Sequence, residues 1–479
     1  MLKVFFPDEI KQIEALMMER HCLSSSDLVM NAVDNLCQYL TKENQIKKEE
    51  LTTVIIGPGN NGEDGLGLAK ELIRHGYFVK ILSCGRNDFF GSISYEQEPV
   101  QFRQIVLESK VMIDALFGIG LNRNVAGHFK DVIELMNQSK AFIYSIDIPS
   151  GLHALSGLVL GSAVIASKTL VIGAYKSGLL MNQGMDYSGV TELIPVAIDY
   201  DLIKNQKYIY DQHVVIRKRP HFSNKYDYGN VLTVGGSLGY FGAPTLTAIS
   251  SLRLGSGLSR IALRKEDYPY YTQSYPELVI ERYENLDEFI SLSNKMSAFA
   301  FGPGIKKDDL SKEVLHYLLS LDKPLIVDAS GIELLETLYD HEQKIIITPH
   351  LGELVRLTGL KKEDLLKNPF PVLKDLSKNG FITLLKGPTT VVELGDITYF
   401  LPYGSPGMAT AGMGDILTGM ILSFLGKGYT LEDSVLHGAM IHIKSSLLAI
   451  SERGEESFIS SDALNYVGEA FKKVGTYET

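Results

Sequence analysis

The chain has only three cysteines among its 479 residues, Cys22, Cys37 and Cys84. They stand too far apart in sequence to form a metal knuckle. An odd, low count suits a reducing compartment better than a disulfide-stapled fold. Positive charge is also scarce: 46 Lys and Arg face 57 Asp and Glu, a formal net charge of −11. That balance argues against a nucleic-acid surface. The one basic cluster, Ile216–Arg219, is short and reads as part of a connector. No apolar stretch reaches the roughly 18 residues of a membrane helix. The opening MLKVFFPDEIKQIEALMMER is broken by Pro7 and by acids, which a signal or transit peptide would not tolerate. There is no short-period repeat and no low-complexity segment. These absences lead to the expectation of a cytoplasmic protein without a membrane or nucleic-acid partner.

What remains is an ordinary globular composition, 45% hydrophobic and 22% charged, in a chain long enough for about two to four domains. After a helical opening, Pro7 to Tyr39, apolar β-branched runs alternate with amphipathic segments. The first series is Thr53–Ile56, Phe78–Leu82, Val111–Ile113, Phe142–Ile146, Thr169–Ile172 and Val190–Ile194. A polar stretch, Asp199–Arg217, reads as irregular and as the boundary. The second series is Val231–Val234, Ser259–Leu263, Ala298–Phe301, Leu325–Val327, Ile345–Ile347 and Phe381–Leu385, with a hairpin turning at Gly395-Asp396. Continuous apolar strands divided by helices predict parallel sheets covered on both faces. The expectation is therefore α/β throughout, with two domains, residues 1–210 and 211–479.

Chemistry is densest in MATAGMGDIL, Met408–Leu417. Gly412 and Gly414 break the chain before Asp415, which opens an apolar helix. The free N–H groups and dipole of such a helix start hold anions. A carboxylate there is placed to take a proton from a hydroxyl beside a phosphoryl group, although Asp is also an ordinary helix cap. FITLLKGPTTVV places Lys386 and Gly387 at a turn, and PHLGE, Pro349–Glu353, follows the apolar IIIT.

In the first half, GPGNNGED follows the first strand and satisfies G-x-G-x-x-G through Gly57, Gly59 and Gly62. Glu63 and Asp64 oppose a pyrophosphate there, and SCGR, Ser83–Arg86, lacks the ribose-binding acid of a dehydrogenase. Oxygens of Asn60, Asn61 and Asp64 are better suited to a hard cation and to substrate hydroxyls. Asp114 in VMIDALFGIGL and Asp147 in FIYSIDIPSGL end apolar strands, where open parallel sheets bind ligands, and Ser150 adds an oxygen beside Asp147. His437 and His442, five apart on a helix, cannot share one face and read as structural.

GPGNNGEDGL, DALFGIGL and DIPSGL resemble the NAD(P)H-hydrate epimerase family. VLTVGGSLGYFGAPTL, PELV, GPG, VDAS, ITPHLGEL, LLKGPTT and MATAGMGDILTG resemble the NAD(P)H-hydrate dehydratases of the ribokinase-like superfamily. Their order is that of the fused bacterial NAD(P)H-hydrate repair enzymes. The resemblance implies an N-terminal Rossmann-like three-layer sandwich and a C-terminal ribokinase-like domain. It implies epimerisation of the R and S hydrates, NADHX and NADPHX, followed by ADP-dependent dehydration of the S form with release of AMP and phosphate. Potassium (K+) would be held by Asn61, Asp114 and Ser150. The hydrate would meet the epimerase at Asn60, Asn61, Gly62, Glu63 and Asp64, along the loop Gly118, Ile119, Gly120, Leu121, Asn122, Arg123 and Asn124, and at the acid–base residue Asp147. In the dehydratase, hydrate contacts are implied at Ala243, Gly304, His350 and the catalytic Asp415. The nucleotide, with magnesium (Mg2+) on its phosphates, would lie along Lys386, Gly387, Pro388, Thr389, Thr390 and Gly414. A homo-oligomer is expected.

The sequence departs from the family pattern in places. Glu63 replaces the second glycine of NNGGDG, at a position expected to favour positive φ. Met413 replaces a hydroxyl residue, Ser330 replaces a carboxylate, and SNKYDYG, Ser223–Gly229, replaces SHKGDYG in a loop expected near the second site. Two alternatives stay open at this stage: a ribokinase-like small-molecule kinase with a regulatory N-terminal domain, and a non-catalytic nucleotide sensor.

Overall fold

In a computed structural model, the described residues are 1–21, 24–42, 45–85, 91–211, 214–337 and 344–477. Cys22 and Arg86 fall outside them. The chain divides into two compact units. One is Leu2–Tyr208 with Leu366–Asn368; the other is Ile209–Leu365 and Pro369–Thr479, with Met1.

The first unit is built on seven parallel strands. Their order across the sheet is Ile93–Ser94, Val79–Ser83, Thr52–Ile56, Val111–Ala115, Phe142–Ile146, Lys168–Ile172 and Val190–Ile194. Strand periodicity sends alternate residues to opposite faces. Val54, Ile56 and Ile113 thus join Leu36, Leu40, Leu66 and Leu72 in one core, whereas Ile55 and Met112 join Phe102, Ile133 and Met136 in another. Those two cores make the three-layer sandwich. Strand order reverses between Thr52–Ile56 and Val111–Ala115, so the ligand crevice of this sheet opens beyond their carboxyl ends. The helix Asn60–Arg74 starts there.

The second unit has seven parallel strands in the order Val279–Tyr283, Leu258–Arg264, Asn230–Val234, Ala298–Phe301, Leu325–Val327, Ile345–Ile347 and Phe381–Leu385. The antiparallel hairpin Thr390–Leu394/Ile397–Leu401 extends it. The switch point of this sheet lies between Asn230–Val234 and Ala298–Phe301. The helix Met413–Gly426 packs against Gly242–Arg253. Gly419 permits the approach, since a Cβ there would lie 1.9 Å from Ser250 Oγ and 2.0 Å from the Thr247 carbonyl oxygen. The Ser250 hydroxyl donates across the contact to the Ile416 carbonyl, 3.1 Å.

Three sequence expectations change. The strand Val279–Tyr283 was not anticipated, because in VIERY the adjacent Glu281 and Arg282 put a charge on each face and break the apolar run, as an edge strand allows. The stretch read as irregular contains Val214–Ile216, which pairs in parallel with Gly475–Tyr477. Ser223–Gly229 lies at the amino end of Asn230–Val234, away from the carboxyl-end crevice where it was expected.

Candidate active sites

In the first unit, the glycine loop is shaped by close backbone approach. A Cβ on Gly57 would lie 2.0 Å from the Leu116 carbonyl oxygen, and one on Gly62 would lie 2.0 Å from that of Gly57. The helix start is thereby drawn onto the end of the neighbouring strand, which brings Asn61 to Phe117. Asn61 Nδ2 donates to the Phe117 carbonyl at 2.9 Å, and Ser150 Oγ donates to the same oxygen at 3.2 Å. Asp114 is fully buried beneath them. It accepts from Ser145 Oγ (2.7 Å), Ser150 Oγ (2.6 Å), Ser150 N (2.9 Å) and Leu116 N (3.3 Å). Burial raises the Asp114 carboxyl, and the serine hydrogen bonds oppose it. Asn61, Asp114 and Ser150 therefore form one oxygen-rich cluster together with the Phe117 carbonyl. With the Asn61 amide turned to present its oxygen in place of its nitrogen, the donor set would be all oxygen with one carboxylate, the chemistry a large hard cation takes.

Asp147 has φ +66, in the left-handed region that a non-glycine residue seldom adopts. Its carboxylate accepts from Ile172 N at 3.0 Å and forms a tight ion pair with Lys176, whose side chain is 2% exposed. Burial, reinforced by the Asp147, Glu14 and Glu63 carboxylates, pushes the Asp64 carboxyl up to about 7; Lys176 opposes the shift. Burial and Asp147 likewise raise Glu14. An acid near neutrality beside a paired carboxylate is the arrangement from which proton transfer is run. Lys176 and Glu14 were missed by sequence reasoning. Lys176 lies in GAYKSG after an apolar strand, the same strand-end signal that picked out Asp114 and Asp147, whereas Glu14 sits on a helix with no such mark.

The rest of the first set is more scattered. Gly118 abuts Asn61, with 3.2 Å between its would-be Cβ and the Asn61 Cβ. Ile119 packs on the Phe5, Ile10, Ile13 and Met17 cluster, so it serves the core at least as much as any ligand. Gly120 faces open space, Leu121 packs on the core around Phe102, and Asn122, Arg123 and Asn124 are exposed. Glu63 corrects an expectation: it lies within the helix Asn60–Arg74, exposed and without positive φ, so its replacement of glycine carries no backbone strain.

In the second unit the corresponding crevice gathers Asp328, Lys386, Glu353 and Asp415. Lys386 N donates to the Pro349 carbonyl at 2.8 Å, setting Lys386 beside His350. Its ammonium lies 2.9 Å from Asp328 Oδ1 and 3.5 Å from Glu353 Oε2, and Thr418 Oγ1 donates to Asp328 Oδ2 at 2.7 Å. Burial would raise Asp328, but the ammonium and these hydrogen bonds outweigh it and hold the carboxyl low. Burial would depress Lys386, but Asp328 and Glu353 outweigh that and raise it. His350 caps the helix Leu351–Thr358: its Nδ1 accepts from Gly352 N and Glu353 N, and Glu353 accepts in return from His350 N.

Asp415 sits in the first turn of Met413–Gly426, after Gly412 with φ +86. Burial and then repulsion from Asp328 push its carboxyl up to about 7, against the pull of Lys386. Gly414 keeps the floor open, since a Cβ there would stand 3.2 Å from Lys386 Nζ. The loop before Ala243, which lies in the first turn of the helix Gly242–Arg253, is joined to the loop carrying Gly304 by Gly236 N donating to Pro303 O, 2.9 Å, and Ser237 Oγ donating to Gly304 O, 2.9 Å. Gly387, Pro388, Thr389 and Thr390 form the turn from Lys386 into the antiparallel hairpin, with Thr389 buried. Asp328, Glu353 and Thr418 were not anticipated. For Asp328 the signal was present in VDAS, an acid at the end of an apolar strand. His437 and His442 are buried in a helix, as a structural role requires.

Residues 231–467 match the family model described as NAD(P)H-hydrate dehydratase, and residues 25–178 match that of the YjeF-related protein N-terminus. The bifunctional NAD(P)H-hydrate repair enzyme of Thermofilum pendens is 32% identical over 98% of this chain and 96% of its own length. That of Coxiella burnetii is 31% identical over 86% of this chain and 88% of its own. A solved structure of the ADP/ATP-dependent NAD(P)H-hydrate dehydratase from Bacillus subtilis, co-crystallized with ATP/Mg2+, is 26% identical, with a TM-score of 0.49, covering 54% of this chain and 94% of that one. With identity above 30% along nearly the full length of a relative and a family model on each unit, the chain belongs to the bifunctional NAD(P)H-hydrate repair enzymes.

Proposed function

We propose that the first unit interconverts the R and S hydrates of NADH and NADPH, and that the second dehydrates the S form with ADP. The observation that carries this reading is the pair of acids near neutrality, Asp64 and Asp415, each in the carboxyl-end crevice of its own sheet.

The C6 hydroxyl of the hydrate is a poor leaving group, and phosphorylation makes it a good one. Asp415 takes its proton as the oxygen attacks the terminal phosphoryl group of ADP; the new P–O bond forms as the bond to AMP breaks. Phosphate then leaves C6 with the bonding electrons, a proton leaves C5, and the ring double bond returns. N–H groups at the start of Met413–Gly426 stabilise the transferring group. Lys386, held by Asp328 and Glu353, presents its charge to the nucleotide. Among the described residues no cluster of three His, Cys, Asp or Glu is placed to hold a metal ion. Magnesium, where bound, would be carried chiefly by nucleotide phosphates and water and would neutralise phosphate charge.

Inversion at C6 in the first unit breaks and remakes one bond to that carbon. It needs one proton delivered and one removed. Asp64, pushed up to about 7, and Asp147, paired with Lys176, divide those tasks. Asn61, Asp114 and Ser150 would hold potassium, which supplies fixed positive charge beside the substrate. Recovery of the reduced-nicotinamide absorbance tests the whole reading. S hydrate plus ADP should recover it directly, and R hydrate only while the first site is intact. Accumulation of a stable phosphorylated product without reduced cofactor would make the second unit a kinase instead.

A further inference from the structure

The basic segment that reads as a connector in sequence forms one wall of a cavity of about 1160 Å³ in the second unit. The volume is somewhat above the roughly 300–1,000 Å³ typical of small-molecule sites. The pairing of Val214–Ile216 with Gly475–Tyr477 fixes the start of that wall. The cavity adjoins Gly229, at the amino end of the strand Asn230–Val234, whereas the reaction crevice lies beyond the other end. At about 3.3 Å per residue, that strand separates the two by roughly 16 Å.

Its lining includes Arg217, Lys218, Arg219, Arg253, Lys427 and Lys472. The one acid in it, Asp227, is engaged in capping, accepting from Asn224 N at 2.7 Å. Among the described residues no carboxylate neutralises Arg217, Arg219 or Lys427. Each is instead positioned by a carbonyl and a ring. Arg217 donates to Lys427 O and stacks on Tyr429 at 4.3 Å; Arg219 donates to Gly255 O and stacks on Tyr228 at 3.9 Å. Lys427 donates to Leu254 O and lies 4.2 Å over Phe424. Rings and carbonyls orient these cations without cancelling their charge. Burial and then the two arginines pull Lys427 down to about 7, which records a concentration of positive charge that an anion would relieve. In a chain of net charge −11, such a gathering is not a consequence of composition.

We propose that this cavity binds a di- or triphosphate group, free or carried by a nucleotide, at a site separate from the reaction crevices. Closely set guanidinium and ammonium groups match adjacent phosphates in both charge and hydrogen bonding. The probes are inorganic tripolyphosphate and ATP, titrated into the full chain with its lysine side chains labelled for NMR. The Lys427 signal, assigned by its loss in Lys427→Met, should titrate near pH 7 and move up by at least one pH unit when tripolyphosphate is added. Binding followed at this signal should weaken at least tenfold in Arg219→Ala and persist in Lys427→Arg. Tenfold tighter binding of ATP would identify the nucleotide as the carrier; equal affinity would identify the phosphate chain alone. A Lys427 signal that neither probe moves at millimolar concentration, or that responds equally in Arg219→Ala, would overturn the proposal.

Discussion

Replacing Lys386 by Met removes the cation that lies 2.9 Å from Asp328 Oδ1 and 3.5 Å from Glu353 Oε2. Asp328 is only 1% exposed, so its carboxylate has no route to water once the ammonium is gone. Breaking a buried pair from one side costs about 3–5 kcal/mol, a large share of the about 5–15 kcal/mol that holds a domain together. At roughly 2–4 °C per kcal/mol for a unit of this size, the calorimetric transition of the second unit should fall by roughly 6–20 °C. Asp328→Asn with Lys386→Met removes both charges while leaving the Thr418 hydroxyl an acceptor, so at least half of the loss should return. The pH dependence has a definite sign. In the native chain Asp328 is held below its ordinary 3.8, so its charge stabilises the fold above that value and the contribution fades as pH falls through the folded value. In Lys386→Met the uncompensated carboxyl is raised instead, so the gap between variant and native chain should narrow on acidification toward pH 3.8. A single variant costing under about 1 kcal/mol, or a double variant whose losses merely add, would refute the reasoning.

Asp415→Asn should keep the fold and nucleotide binding yet slow dehydration by about 10² to 10⁴, with epimerisation intact. Because Asp415 must be ionised and is raised to about 7, native kcat/KM for dehydration should fall about tenfold per unit below that pH; a flat profile would remove it as the base. Lys176→Met should slow epimerisation and shift its pH profile upward, because Lys176 is what opposes the rise of Asp64; an unshifted profile would assign Lys176 a purely structural part. Glu63→Gly should preserve epimerisation and Asn61→Ala should weaken it in a potassium-dependent way, both measured with excess dehydratase activity supplied. A chain beginning near Asp211 should dehydrate the S hydrate and spare the R form, and comparable rates on both would contradict the division of labour.

Strands were legible wherever both faces are buried. Ala298–Phe301, Leu325–Val327, Ile345–Ile347 and Phe381–Leu385 fall where continuous apolar runs put them. The edge strand Val279–Tyr283 was hidden because Glu281 and Arg282 interrupt its apolar run. Strand-end acids were a productive signal for Asp114 and Asp147. The same signal at Asp328 went unused, and its pairing with Lys386 depends on two strands separated in sequence but set close in the sheet. Glu353 and Thr418 reach the site from helices, where no local pattern separates a functional side chain from a cap or a core hydroxyl. The basic run Ile216–Arg219 shows the converse. Four residues look like a linker until the fold adds Arg253, Lys427 and Lys472 from distant parts of the chain.

The missing side chain at Gly419 reaches further than packing. Gly419 lies four residues along the helix from Asp415, about 6 Å at 1.5 Å per residue, and it sets how closely the whole helix seats on Gly242–Arg253. A single added methyl there would lift a rigid rod whose first turn carries the Asp415 carboxylate and the free N–H groups of the helix start. Displacements of about 1 Å are enough to cost a hundredfold in a positioned reaction. If Asp415 is the base proposed above, small adjustments of this seam would tune turnover while every group in the crevice stayed the same.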